Sequence, residues 1–157
     1  MAANKYSEKT YTKYENVIKT ISRLIFREIT VPEKVYMLET TKHLRIPPSK
    51  ENMTEIIPGT AWGSEYSNMW LKCEITVPAC AEGEVLCAVP NANAVEILCF
   101  KNGKPAGIIN SKNQFIGGDH SVMFVSPCAH AGENIELDFE CYAGHKAFGE
   151  APMAQYD

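Results

Sequence analysis

The hydrophobic period of this chain changes once, near Pro32, and that single change decides most of what it can become. Before it, Val17, Ile18, Ile21, Leu24, Ile25 and Ile29 recur at steps of three and four. Lys13, Asn16, Lys19, Thr20, Arg23 and Arg27 fill much of the remainder. That spacing predicts one amphipathic helix over roughly 13–29, inside an N-terminal unit of 13–31. Thr12 and Glu15 have the spacing of a capping box at its start, and residues 1–12 read as a disordered lead.

After Pro32 the period is two. Residues 33–61 read as mostly extended and loop-like, punctuated by Pro47-Pro48 and Pro58-Gly59. Leu71, Cys73, Ile75 and Val77 alternate with Lys72, Glu74 and Thr76, the pattern of a strand with one buried and one wet face. Val85–Val89 is apolar in both parities and reads as a strand covered on both faces. Val95–Phe100 and Pro105–Ile109 flank Asn102-Gly103, which suits the positive φ angles of a type I′ hairpin turn. Val122–Val125 forms a further strand. Ile135, Leu137, Phe139 and Cys141 alternate with Glu136, Asp138 and Glu140, whose carboxylates read as a solvated face. Periodicity is lost from about residue 143.

Six or seven short strands follow one helix, with no βαβ alternation. The expected fold is therefore all-β: an antiparallel β-sandwich of Greek-key or jelly-roll type over residues 32–145, preceded by an N-terminal amphipathic helix. Residues 146–157 read as a linker or tail. A chain of 157 residues is one domain by size and needs no disulfide or metal staple.

Charge and cysteine usage remove several function classes. The net charge is −4, which argues against nucleic acid as a partner. No apolar run is long enough to span a bilayer, and the polar first residues show no secretory signal. Residues 1–30 are net basic and the rest net acidic, a split that fits a solvated helix face better than a basic helix lying on an acidic body. The six cysteines, Cys73, Cys80, Cys87, Cys99, Cys128 and Cys141, contain no C-x-x-C pair. They are expected as reduced thiols in a cytoplasmic protein.

Catalytic and metal signatures are sparse. The histidines at 43, 120, 130 and 145 form neither H-E-x-x-H nor H-x-D. Asp119-His120-Ser121 is an adjacency, not a triad, and there is no G-x-S-x-G elbow. Gly117-Gly118 lacks the lysine and the helix of a phosphate loop. No catalytic or metal-binding residue is assigned. The candidate recognition feature is aromatic: Trp62, Tyr66 and Trp70, with Asn68, Asn113 and Gln114 nearby, have the residue types of a carbohydrate-stacking platform. The competing reading is that both tryptophans fill the core.

The chain resembles the N-terminal region of the α-mannosidases of glycoside hydrolase family 38. The resemblance is carried by Trp62-Gly63-Ser64-Glu65, Trp70-Leu71-Lys72, Ile75-Thr76-Val77-Pro78, Phe100-Lys101-Asn102-Gly103-Lys104-Pro105, Glu140-Cys141-Tyr142-Ala143-Gly144-His145 and Phe148-Gly149-Glu150-Ala151-Pro152, in that order, over roughly residues 12–152. It implies a jelly roll of galactose-binding-like type, with residues 146–157 leading toward a catalytic domain. That family hydrolyses α-mannosides with a carboxylate nucleophile and a zinc ion, both in the later domain. No position here matches them, so the chain itself is expected to be inactive and free of cofactor. The catalytic domain of the same polypeptide is the expected partner, together with further copies in a homo-oligomer. The alternative is a carbohydrate-binding module with weak affinity of its own for a mannose-containing oligosaccharide.

Overall fold

The computed structural model describes residues 5–110, 122–144 and 154–155, with the side chains of 5–7, 22–25 and 154–155 left aside. Asn113, Gln114, Gly117-Gly118, Asp119-His120-Ser121 and His145 lie outside the described residues, as does the expected tail apart from 154–155.

Helix α1 spans Lys5–Ile25. It starts well inside the expected lead and stops short of residue 29. Thr12 is an interior residue: its Oγ1 donates to the Glu8 carbonyl at 3.0 Å, as Thr20 Oγ1 does to Asn16 at 2.8 Å. These bonds back to the preceding turn are what mid-helix threonines make, so Thr12 is no cap and the capping-box reading falls. The apolar period continues to Ile29, but Ile29 packs against the core from a non-helical segment. The β-branched run Ile29-Thr30-Val31 favours extended backbone, and Pro32 pushes the residue before it out of the helical region.

Among the described residues ten strands follow: β1 Val35–Thr40, β2 Thr54–Ile56, β3 Ala61–Trp62, β4 Asn68–Thr76, β5 Leu86–Ala88, β6 Glu96–Lys101, β7 Lys104–Ile109, β8 Met123–Ser126, β9 Asn134–Tyr142 and β10 Ala154–Gln155. The segment 33–61 thus holds three strands. Six strands form one antiparallel sheet in the order β2-β1-β4-β9-β6-β7. Two short antiparallel pairs, β5-β8 and β3-β10, make up the rest. Asn102 and Gly103 have φ of 50° and 72° and turn β6 into β7, as the Asn-Gly pair predicts. Asn102 Oδ1 also accepts from the Glu136 amide at 2.9 Å, tying the turn to β9.

Register sorts the large sheet into two faces. Met69, Leu71, Cys73 and Ile75 of β4 lie opposite Cys141, Phe139, Leu137 and Ile135 of β9. These residues, with Val35, Ile97, Cys99 and Ile109, join Leu86, Met123, Val125 and Trp62 in the core. The β5-β8 pair is covered on one side only: Leu86, Met123 and Val125 are buried, whereas Val85, Val89 and Phe124 are exposed. That corrects the expectation that 85–89 is enclosed on both faces. Among the described residues no helix is long and apolar enough to cross a membrane.

Candidate functional site

The four sequence candidates do not form a platform. Trp62 is 4% exposed and lies in the inter-sheet core, its Nε1 donating to the Ala92 carbonyl at 3.0 Å. Trp70 is 0% exposed and sits on the other face of β4, where it packs on Phe100 with ring centroids 5.4 Å apart. Asn68 is buried as well. Tyr66 alone is open, at 58%, in a turn held at φ 65° and tied by its amide to the Gly144 carbonyl at 3.0 Å. A sugar needs an accessible ring face. The two tryptophans instead bury large apolar areas on opposite sides of the sheet, the energetically favourable use of such residues.

A polar cluster that the sequence reading missed lies on that opposite face. Lys72 is directly across from Asp138, and Trp70 from Glu140. Lys72 Nζ stands 2.7 Å from Asp138 Oδ1 and 3.1 Å from Glu136 Oε1. Asp138 is 0% exposed, Lys72 6%, and Glu140 is also buried. His43 Nδ1 reaches Glu140 at 3.3 Å. The alternation Glu136, Asp138, Glu140 therefore does not mark a solvated face. Burial raises the Asp138 carboxyl above the usual carboxylate range, and the opposing Lys72 ammonium only partly offsets this. Burial likewise pulls Lys72 down, but its hydrogen bonds to Asp138 and Glu136 outweigh it and leave the ammonium raised. The cluster holds a proton on Lys72 firmly, which suits a structural ion pair rather than a proton shuttle.

One end of this face opens into a cleft of about 370 Å³, lined among others by Tyr36, Lys50, Lys72, Glu74, Thr76 and Asn134. Its groups largely satisfy one another. Lys50 Nζ lies 4.3 Å from the Tyr36 ring centroid and 3.9 Å from Glu74, and Thr76 donates to Asn134 Oδ1 at 2.7 Å. Among the described residues no group of three or more His, Cys, Asp or Glu is placed to hold a metal. All six cysteines are free thiols. Burial pushes Cys73 and Cys99 up to about 12 and Cys141 well above its ordinary value, so none of the three is a nucleophile at neutral pH.

Against known families, residues 18–154 match the model of the alpha-mannosidase jelly roll domain. The chain belongs to that family. The match covers most of the sequence and strands β1 to β9 in full, so the antiparallel sandwich is this family's jelly roll, as the sequence resemblance implied. It is an N-terminal domain type of glycoside hydrolase family 38 mannosidases. No curated protein matches the chain.

Proposed function

We propose that this jelly roll is the non-catalytic N-terminal domain of an α-mannosidase, that it packs on the catalytic domain, and that it supports assembly of the enzyme. Hydrolysis of α-mannosides, and the zinc that serves it, belong to the catalytic domain. The observation that carries the packing role is the outer side of β5-β8. Phe124, directly opposite Cys87 in the strand pair, is 70% exposed beside Val85 and Val89. A sheet face this apolar is suited to covering by another domain. Free thiols throughout fit a reducing compartment such as the cytoplasm. The closed faces of Trp62 and Trp70 weigh against the carbohydrate-module reading.

The test joins this domain to the catalytic domain of its own reading frame. The intact jelly roll is expected to raise the melting temperature of the catalytic domain, and Phe124→Asp to remove that gain. The chain alone should release no aryl group from an aryl α-mannoside, with or without zinc. Turnover that disappears on mutating a residue of this chain would overturn the non-catalytic reading. Tight mannobiose binding followed by NMR would restore the carbohydrate-module alternative.

A further inference from the structure

The segment from Ala61 to Ser67 holds the later chain at two places. Strand β3 pairs antiparallel with β10, with Ala154 opposite Trp62 and Gln155 opposite Ala61. The turn after β3 holds the end of β9. There the Tyr66 amide donates to the Gly144 carbonyl at 3.0 Å, and the Ala143 amide to the Ser67 carbonyl at 3.1 Å. Ser67 is buried, and its hydroxyl accepts from the Ser64 amide at 2.8 Å, which closes the turn. A two-residue ladder has little persistence of its own. The rigidity of β3 comes from Trp62, seated in the core with its indole N–H on the Ala92 carbonyl. Gly144 is equally constrained: a Cβ there would stand 2.7 Å from Val95 Cγ2, and its φ of 87° favours glycine. The sheets do not need the second hold. Strand β9 is already paired along β4 and β6, and β10 belongs to neither the six-stranded sheet nor the β5-β8 pair.

We infer that segment 61–67 is an exit clamp: by holding the chain at 143–144 and again at 154–155, it sets where the polypeptide leaves the jelly roll and so positions the catalytic domain. This rests on the reading that the catalytic domain of the same polypeptide packs on this one. Reach is the physical reason. A flexible chain of the length from Gly144 to Gln155 wanders over about 18 Å. The effective concentration of whatever follows a linker falls steeply with its free length. Pinning Gln155 takes that stretch out of the free linker and confines the next domain to a narrow volume beside the sandwich. Without such a restraint, domains joined through a modest interface move relative to one another. Trp62, Ser67 and Gly144 are then positioning residues. This gives a task to Trp62-Gly63-Ser64-Glu65 and Ala143-Gly144, sequence features that the packing face on β5-β8 leaves unused.

Two measurements test the clamp. The first uses the 157-residue chain with the exposed thiols Cys80 and Cys128 replaced by serine. In it, Ala61→Cys with Gln155→Cys should cross-link under mild oxidation about tenfold or more faster in native buffer than in urea. Equal rates would overturn the inference. The second uses the protein that joins this chain to its catalytic domain, with one flexible Gly-Ser insert placed on either side of β10. Placed directly after Gln155, the insert should remove most of the gain in catalytic-domain melting temperature while the jelly roll melts as before. Placed after Gly149, it should leave the gain intact, because the clamp recaptures the chain at 154–155 and a longer loop costs little. Equal losses from the two inserts would make linker length alone the cause and overturn the clamp. A gain that survives both inserts would overturn it too. Absence of any gain in the uninterrupted protein would instead overturn the packing reading, so the two failures are told apart.

Discussion

Helix α1 and the strand pair β4-β9 are both amphipathic in sequence, and the structure treats them in opposite ways. Tyr11, Tyr14, Val17, Ile18 and Ile21 of the apolar stripe of α1 stand in solvent. The polar face of β4-β9, with Lys72, Asp138 and Glu140, is buried. The contrast shows that periodicity fixes an element's type and its two sides but not what covers each side. A partner decides that, and the partner of a strand face is set by register with residues far away in sequence. Lys72 meets Asp138 only because β4 and β9 pair antiparallel over their full nine residues.

The comparison can be broken most severely at its buried end. Lys72→Met leaves Asp138 enclosed without its cation and should cost about 3–5 kcal/mol in urea unfolding. Adding Asp138→Leu should recover most of that loss, because two apolar groups need no mutual neutralisation. If the single variant costs no more than a surface substitution, the buried face is wetter than described.

Alkaline titration sharpens the picture of the core side. Cys73 and Cys99 ionise near 9.0 when unfolded and at about 12 when folded. The native state therefore holds these protons more tightly. Their contribution is complete below pH 9.0 and is lost as pH rises from there toward about 12. By pH ~10.5 the loss should be on the order of 2 kcal/mol per thiol. Urea midpoints across this range should fall for the wild type and fall less for Cys99→Ala.

The two tryptophans separate the faces of the sheet. Trp62 Nε1 has a carbonyl partner, whereas Trp70 Nε1 is buried without one among the described residues. Trp62→Phe orphans the Ala92 carbonyl, and Trp70→Phe removes an unpaired donor. The first should cost about 1–2 kcal/mol more than the second in matched unfolding curves. Equal costs would place both rings in equivalent surroundings. The smallest effect is expected on α1: Ile18→Ser should move sandwich stability by under ~0.5 kcal/mol.

Most elements were legible where neighbours in sequence supply the cue. The alternation of Leu71–Ile75 and of Ile135–Cys141 marks β4 and β9, and Asn102-Gly103 marks the β6–β7 turn through its own φ requirements. Strand β1 was not legible, because Tyr36, Met37 and Leu38 carry no alternation and find their partners in β2 and β4, well removed in sequence. The end of α1 was misread because Ile29 keeps the helical spacing while serving the core of the sandwich. Aromatic type drew attention to Trp62 and Trp70, but their side of the sheet depends on register, which composition does not encode. The Lys72–Asp138 pair left the same faint trace as any alternating strand.

Arg27 Nη2 meets Glu84 Oε2 at 2.9 Å just beyond the end of α1, and both side chains are more than half exposed. With Ile29 packed against the core, this contact is an anchor at the foot of a rod ~31 Å long. A tilt of only about 10° at the foot carries the tip through ~5 Å, as far as one helical turn rises. Because the anchor is an exposed ion pair, dissolved salt weakens it. The expected consequence is a reach that grows with ionic strength: small-angle scattering of the chain should widen in its longest dimensions as salt is raised, while the sandwich itself keeps its shape.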